Sequence, residues 1–483
     1  MLKAKSAAVW ELVIGEGVMQ KKKTRKGYQL RLDEMIQALR DDIISGRLAI
    51  GAFLPSESDL EKQFQIGNSS VRKGLEQLVD EGLIEKIPRV GNRVISPGPE
   101  RVTIKFGYFG SLGKQVEMEA LIKEFHAQFP HIQVQSLELP SGNFSKALKE
   151  YMEAELLDVV LINNNTFQDF VEKDCTPLFE PLEAGDSFPS FLTEPFSREG
   201  QLLVQPFVYS PVVLCYNKHH FQEQGVPEPD RSWSWNDLFR YGEQLAIPNE
   251  RFGFYFYLPS RNRWPIFLLQ SGSEFHKDET GSYQLRGTPL MDGLEECREL
   301  LRRTDVFPAM LSESSDDAEA FFQDEKVSMI MTTYFFLNEM KQAQVQFDVA
   351  PLPLPHVGDN KTLLIIVGLA VNSKSKSKEA AKRFVQFLSS YEMQLRLRTR
   401  TLNIPAHERA SESSQDELAY RPSRFSMYRE LEPTYHLITA LGLRNEQLKA
   451  IQRDVMLFLS GFHDRETLCD RVERKLRESV VIV

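Results

Sequence analysis

The segment Ser96-Pro97-Gly98-Pro99 constrains this chain more than any other stretch, because two prolines and a glycine stop both helix and strand. It sets residues 97–100 apart as a linker, with one unit over 28–96 and a much larger one over 101–483. The division also changes the meaning of the net charge of -10. Residues 1–97 hold 16 of the 58 Lys+Arg and 13 of the 68 Asp+Glu, which leaves 42 basic against 55 acidic groups beyond them. The head is therefore about +3 and the body about -13, so the head is the only surface suited to a nucleic acid.

Hydrophobic residues at 42% and charged residues at 26% are ordinary globular usage, which excludes wholesale disorder. No apolar run reaches the ~20 residues that a membrane span needs, so a soluble protein with no membrane partner is expected. Cys175, Cys215, Cys297 and Cys469 lie far apart with no metal-ligand spacing. A disulfide framework, a metal site and a cofactor are therefore not expected, and a reducing compartment, the cytoplasm, fits. At the extreme N-terminus, Glu11 and Glu16 interrupt the weakly apolar stretch after Lys3 and Lys5, and no small-residue cleavage site follows. Residues 1–27 are read as a disordered arm, or as upstream sequence if translation starts at Met19 rather than Met1.

In the head, Leu32, Met35, Ile36, Leu39, Ile43 and Ile44 recur at three to four residue intervals before Ser45-Gly46, as in an amphipathic helix stopped by glycine. Ser56 ahead of an acidic first turn offers a cap for a short helix ending at Phe64. After a turn at Gln65–Gly67, the segment Ser69 to Asp80 places Val71, Leu75, Leu78 and Val79 on one face. Asn68, Ser69, Ser70, Arg72 and Lys73 gather at its start. A second helix that is polar and cationic at its N-terminal end is the helix-turn-helix arrangement. Leu83 to Ile87 and Arg93 to Ile95 read as strands of a wing, with Arg89, Gly91 and Arg93 at or beside its tip.

Tyr28 to Ser96 thus resembles the winged helix-turn-helix of GntR-type transcription regulators. The match rests on Leu54-Pro55-Ser56-Glu57, Val71-Arg72 with Leu75 and Leu78, Glu81-Gly82-Leu83-Ile84 and the Gly91 wing, in order. The resemblance implies DNA contacts from Ser56, Glu57, Asn68, Ser69, Ser70, Arg72, Lys73, Arg89, Gly91 and Arg93, on a double-stranded operator bound by a homodimer. Ser58 and Gly67-Asn68 stand where the family usually has arginine and Ser-Arg, so the operator is expected to differ from the common one.

The body starts with a strand, Val102 to Phe106, followed by glycines at 107, 110 and 113 and a helical pattern through Phe125. The G-x-x-G-x-x-G spacing is neither a dinucleotide fingerprint nor a P-loop, and reads as a loop for close ligand approach or as a plain tight turn. A strand at Ile132–Leu139, a helix at Phe144–Glu155 and a strand at Asp158–Ile162 continue an α/β alternation, for which a mainly parallel sheet is expected. The body resembles family 1 extracellular solute-binding proteins, the sugar-binding receptors of ABC transporters. Asp158-Val159-Val160, Gln205-Pro206-Phe207, Tyr216-Asn217-Lys218, Gly225-Val226-Pro227, Pro351 to Pro355, Gly368 to Asn372 and Lys378 to Ala381 carry the match. The resemblance implies a two-lobed, periplasmic-binding-protein-like (type II) α/β domain, with crossings near Val208–Leu214 and Leu364–Val371.

Recognition of a sugar needs flat apolar faces and a few planar hydrogen-bonding groups. The resemblance points to Tyr108, Phe109, Asn164, Tyr334 and Phe335, which follow strands, and to Trp264, which opens a helical segment, each with packed core as the alternative, whereas Trp235 reads as core. An enzyme is not expected: there is no HExxH and no GxSxG, and the Asp316-Asp317 pair falls in a stretch, Ser312–Glu319, that reads as a polar loop leading into a helix. The expectation is a ligand-responsive transcription regulator, with a transport receptor lacking any switch as the alternative.

Overall fold

The computed structural model describes residues 25–44, 46–88, 90–95, 101–140, 144–183, 185, 187–279, 281–308, 315–342, 345–414 and 420–479. Met19, most of the expected arm, the 97–100 linker and Arg89 lie outside the described residues. The chain divides at Val102/Thr103 into two compact units.

In the first unit, helix α1 (Arg25–Ile44) begins inside the stretch assigned to the arm and buries Leu32, Met35, Ile36, Leu39 and Ile43. Helix α2 (Glu57–Phe64) is capped by Ser56, and Gln65 turns the chain with φ 52°. Helix α3 (Asn68–Asp80) packs Val71, Leu75 and Leu78 inward. It approaches α1 at Gly74, where a Cβ would stand 2.4 Å from Met35 Cε and 3.1 Å from Ile36 Cγ1, so a side chain there would force the Met35 end to move. Strands β1 (Ile84–Ile87) and β2 (Gly91–Val94) pair antiparallel as the wing, and Phe53 bridges to Arg93 along its edge.

The second unit opens with β3 (Val102–Phe109), α4 (Gly110–Gln115) and α5 (Met118–Gln128). The glycine stretch is therefore neither an open loop nor a turn. Gly107 and Gly110 leave room for the Leu157 and Glu138 side chains, and the Tyr108 ring lies over Gly113, so these glycines serve internal packing. Strand β4 (Ile132–Leu139), helix α6 (Phe144–Glu153), strand β5 (Val159–Asn163) and helix α7 (Asn164–Glu172) complete the first lobe's alternation.

A thirteen-residue strand, Gln205–Asn217, buried along its whole length, crosses to the second lobe, and Thr362–Val371 returns. The return strand pairs antiparallel with both the crossing strand and β5. The expectation of a mainly parallel sheet is corrected here. β3 with β5, and Phe252–Tyr255 with Val327–Thr333, are parallel inside each lobe, while the pairings that join the lobes are antiparallel because the chain passes out and comes back. Two helices, Asn445–Leu459 and Arg465–Glu478, end the unit, and the first packs against both α7 and the second lobe's helix Pro289–Arg302. Their contact holds the buried Asp454 carboxylate between Arg471 and Lys475 at 2.6 and 2.7 Å. No helix among the described residues is long and apolar enough to cross a membrane.

Candidate functional site

The head presents its polar residues outward. Ser69, Arg72 and Lys73 are exposed on the first turns of α3, with Asn68 and Ser70 half-buried beside them. Ser56 is occupied by local work: its hydroxyl accepts from the Asp59 backbone N–H at 3.2 Å and donates to the Asp59 carboxylate at 2.6 Å. Glu57 accepts from Arg72 Nε at 2.8 Å, which aims the guanidinium along α3 and raises its already high pKa through that hydrogen bond and the carboxylate's charge. In the wing, Arg93 is exposed and paired with Glu85. Gly91 sits at φ 139°, a conformation that L side chains rarely adopt, which accounts for a glycine at that position. The result is a convex, hydrogen-bond-rich helix start with a cationic strand hairpin on the same small unit, able to meet phosphates and base edges.

In the second unit the aromatic and amide residues singled out from sequence fall into three settings. Phe109 is half-buried and lines a cavity of about 420 Å³, its ring edge-on to Phe144 at 5.7 Å. Tyr108 is half-buried beside Phe106, and burial, followed by the nearby Glu138 and Glu119, raises its hydroxyl pKa. Asn164 is buried and joins β5 to the return strand, its Oδ1 accepting from the Ile366 N–H at 2.9 Å and its amide facing Asn165. Trp264 and Tyr334 are fully buried and Phe335 nearly so. Tyr334 spends its hydroxyl on the Phe425 carbonyl oxygen at 2.9 Å, whereas Trp264 Nε1 has no hydrogen-bond partner among the described residues. Trp235, read as core, is also fully buried and donates to Gln270 at 2.9 Å.

Beside Trp264 lies a polar cluster that periodicity did not disclose. Arg263 Nε donates to the Met331 carbonyl oxygen at 2.9 Å, and the Thr332 hydroxyl donates to Glu319 Oε1 at 2.7 Å. Burial pushes the Glu319 carboxyl up to about 7, against the opposing pull of Arg263 and Thr332. The stretch that reads as a polar loop leading into a helix is helical from Ser315, and Glu319 lies buried inside the helix Ser315–Gln323. The reason is that Ala318, Glu319 and Phe322, at positions i, i+1 and i+4, share the inward face of that helix.

The 420 Å³ cavity brings together parts that sequence reasoning left separate. The first lobe gives Phe109, Phe144, Ser145, Asn163 and Asp169. The second lobe gives Arg261, and the helix Asn445–Leu459 gives Asn445 and Lys449. Nearby, Asn165 donates to Asn262 at 3.1 Å, one lobe to the other, and Asn445 Nδ2 donates to both the Asn165 carbonyl oxygen and Asp169 at 2.8 Å. Such a cavity lies within the ~300–1,000 Å³ range of small-molecule sites and joins an aromatic wall to convergent polar groups. Arg261 stands two residues before the Arg263-Trp264 pair and was within reach of sequence reasoning; Asn445 and Lys449 carry no local signal at all. Among the described residues no group of three or more His, Cys, Asp and Glu could hold a metal ion.

Residues 110–395 match the family model for bacterial extracellular solute-binding proteins, and residues 32–94 match the one for bacterial regulatory proteins of the gntR family. A binding protein of Brucella abortus (strain 2308) is 23% identical over 292 residues, 56% of this chain and 67% of that protein. The sn-glycerol-3-phosphate-binding periplasmic protein UgpB of Escherichia coli (strain K12) is 28% identical over 160 residues, 30% of this chain and 35% of its own. Among solved structures, an ABC substrate-binding protein from Listeria monocytogenes in complex with cycloalternan superimposes with a TM-score of 0.68 at 19% identity, over 79% of this chain and 99% of that one. Maltose-bound MalE3 of T. maritima gives 0.67 at 19% identity, over 78% and 100%. At these identities the likeness is one of fold.

Proposed function

We propose, from the premise that this chain belongs to the bacterial extracellular solute-binding protein family and carries a gntR-family regulatory domain at its head, that it is a cytoplasmic transcription regulator whose operator binding is controlled by a small solute. The observation that carries this reading is the joining, in one chain, of a DNA-reading winged helix and a body built to close on a solute. A body that only delivered solute to a transporter would have no use for the exposed Ser69, Arg72 and Lys73 of α3.

The solute is a carbohydrate or a similar polyhydroxylated molecule. Similar folds hold cycloalternan and maltose, and UgpB is named for binding sn-glycerol-3-phosphate. It sits between the lobes, against Phe109 and the residues gathered with it, with Tyr108, Asn164, Trp264, Tyr334 and Phe335 shaping the surrounding walls. The head binds through Ser69, Arg72, Lys73 and the wing, with Ser56, Glu57, Asn68 and Ser70 setting the helix start. One head makes few contacts, so the protein acts as a homodimer on a two-fold operator with half-sites about one helical turn apart, ~10 bp.

Titrating operator DNA into the full chain with and without saturating solute tests the switch. The two affinities should differ by ~5 to 150-fold, a coupling of ~1–3 kcal/mol, and by linkage the operator should alter solute affinity by the same factor. Equal affinities would reject control by solute and leave a tethered DNA-binding domain.

A further inference from the structure

The cavity behind Phe109 has polar groups of two kinds: those already matched within the protein and those that are not. Asn163 Oδ1 accepts from the Thr166 N–H at 2.8 Å and caps α7. Ser145 donates to Asp169, which also accepts from Asn445. Lys173 pairs with Glu446 at 3.5 Å, and Lys146 reaches Glu150 at 3.9 Å. The carboxylates of the lining are thus engaged by neighbours, as are the side chains of Asn163, Ser145 and Asn445.

Two lining residues are not. Arg261, half-buried, and Lys449, exposed, make no hydrogen bond or ion pair among the described residues, although both border the cavity. Altogether four cationic side chains, Lys146, Lys173, Arg261 and Lys449, face two carboxylates, Asp169 and Glu446, so the lining is positive by two charges. It is positive within a body that is negative as a whole, with 42 basic against 55 acidic groups beyond residue 97. A cation that is half-buried without a partner loses hydration and gains nothing in return, unless a bound group supplies the missing charge.

We infer that the solute of this pocket is an anionic sugar or polyol, one that bears a phosphate or carboxylate, and that Arg261 and Lys449 grip the charged group while the Phe109–Phe144 wall receives the carbon skeleton. The inference rests on the proposed solute-sensing role and narrows its ligand class. It also gives closure a physical handle. Arg261 belongs to the second lobe and Lys449 to the helix Asn445–Leu459, whereas Phe109, Phe144 and Lys146 belong to the first lobe. An anion held among them neutralises charges from both sides of the cleft, and a guanidinium presents the planar fork that oxyanions match.

The test uses the full chain and pairs of probes: glucose 6-phosphate, glycerol 3-phosphate and glucuronate beside glucose and glycerol, with inorganic phosphate alone. Melting temperature and calorimetric titration are read for the wild type, Arg261→Gln and Lys449→Gln. At least one charged probe should bind while its uncharged parent does not. Each substitution should weaken that binding by about tenfold or more, with the solute-free melting temperature held or slightly raised, because neither side chain has a hydrogen bond or ion pair to lose and the uncompensated burial of the Arg261 charge is relieved. Inorganic phosphate should bind more weakly than the charged probe, since it leaves the aromatic wall untouched. An uncharged probe that binds the wild type and Arg261→Gln equally well would overturn the anionic class while leaving the sensor reading intact. Failure of every probe, charged or uncharged, together with an operator affinity indifferent to them all, would overturn both.

Discussion

The head and the body expose their chemistry in opposite ways. In the head the residues that would touch DNA, Ser69, Arg72 and Lys73, stand in solvent on a helix whose other face is core. In the body Trp264 and Tyr334 are fully buried, while Phe109 borders a cavity. The difference follows from the partners. DNA is a rigid rod met from outside, so its reader must be convex and wet. A small solute is met by enclosure, so the surfaces that hold it are the ones that two lobes can bury together.

Substitutions at three positions would break or sharpen this contrast. The largest effect is expected at Trp264, where alanine should cost ~3–5 kcal/mol of body stability in denaturant unfolding while operator binding in the absence of solute is kept. Trp264→Phe separates packing from recognition. If the unpartnered Nε1 awaits a solute acceptor, phenylalanine should lose solute affinity with little loss of stability. A Trp264→Ala protein as stable as the wild type would remove the residue from the core and erase the contrast.

Glu319 comes next. Its carboxyl keeps its proton in the folded protein up to about 7, where an unperturbed carboxyl has released it by 4.5. The folded state therefore binds more protons in that window, and stability is highest below it, falls as pH climbs from about 4.5 to 7, and levels off above. The gap corresponds to about 3 kcal/mol. Glu319→Gln should flatten that part of the stability profile. A profile that keeps its full slope in the variant would assign the pH dependence to other groups.

The smallest effect belongs to the head. Arg72→Ala should weaken operator binding by ~1–3 kcal/mol if the guanidinium reads a base, or weaken binding evenly across sequences if it anchors a phosphate. It is measured by titration against operator and scrambled duplexes. Because Arg72 is exposed and its ion pair with Glu57 lies at the surface, head stability should hardly move, and unchanged DNA affinity would take the recognition role away from α3.

Legibility followed the same divide. The helix start at Ser56, the turn at Gln65 and the wing glycine could be read because capping and positive φ are local demands, met within a few residues. The α/β alternation of the first lobe was legible for the same reason. What escaped was set by distant partners. Gly107 and Gly110 suggested a loop, but their lack of a side chain answers to Leu157 and Glu138, which no spacing discloses. The sheet's mixed direction comes from a strand that returns about 150 residues later. Arg261 and Lys449 meet only because the second lobe and the helix Asn445–Leu459 converge on the first, and Glu319 is buried on the inward helix face it shares with Ala318 and Phe322.

The return strand also fixes an order of events on the ribosome. β5 at 159–163 and the crossing strand at 205–217 both wait for residues 362–371 before the sheet between them can close. The head needs nothing beyond its own first hundred or so residues, since its helices and hairpin are joined by short links. Synthesis proceeds at ~5–20 residues per second and domains fold as units as they emerge, so the head is complete while the body's central strands still lack their partner. Long-range pairing of this kind is slow even in a finished chain. A nascent molecule thus carries a finished head while its body is still open, and the body's fold is completed only with its last strands and helices.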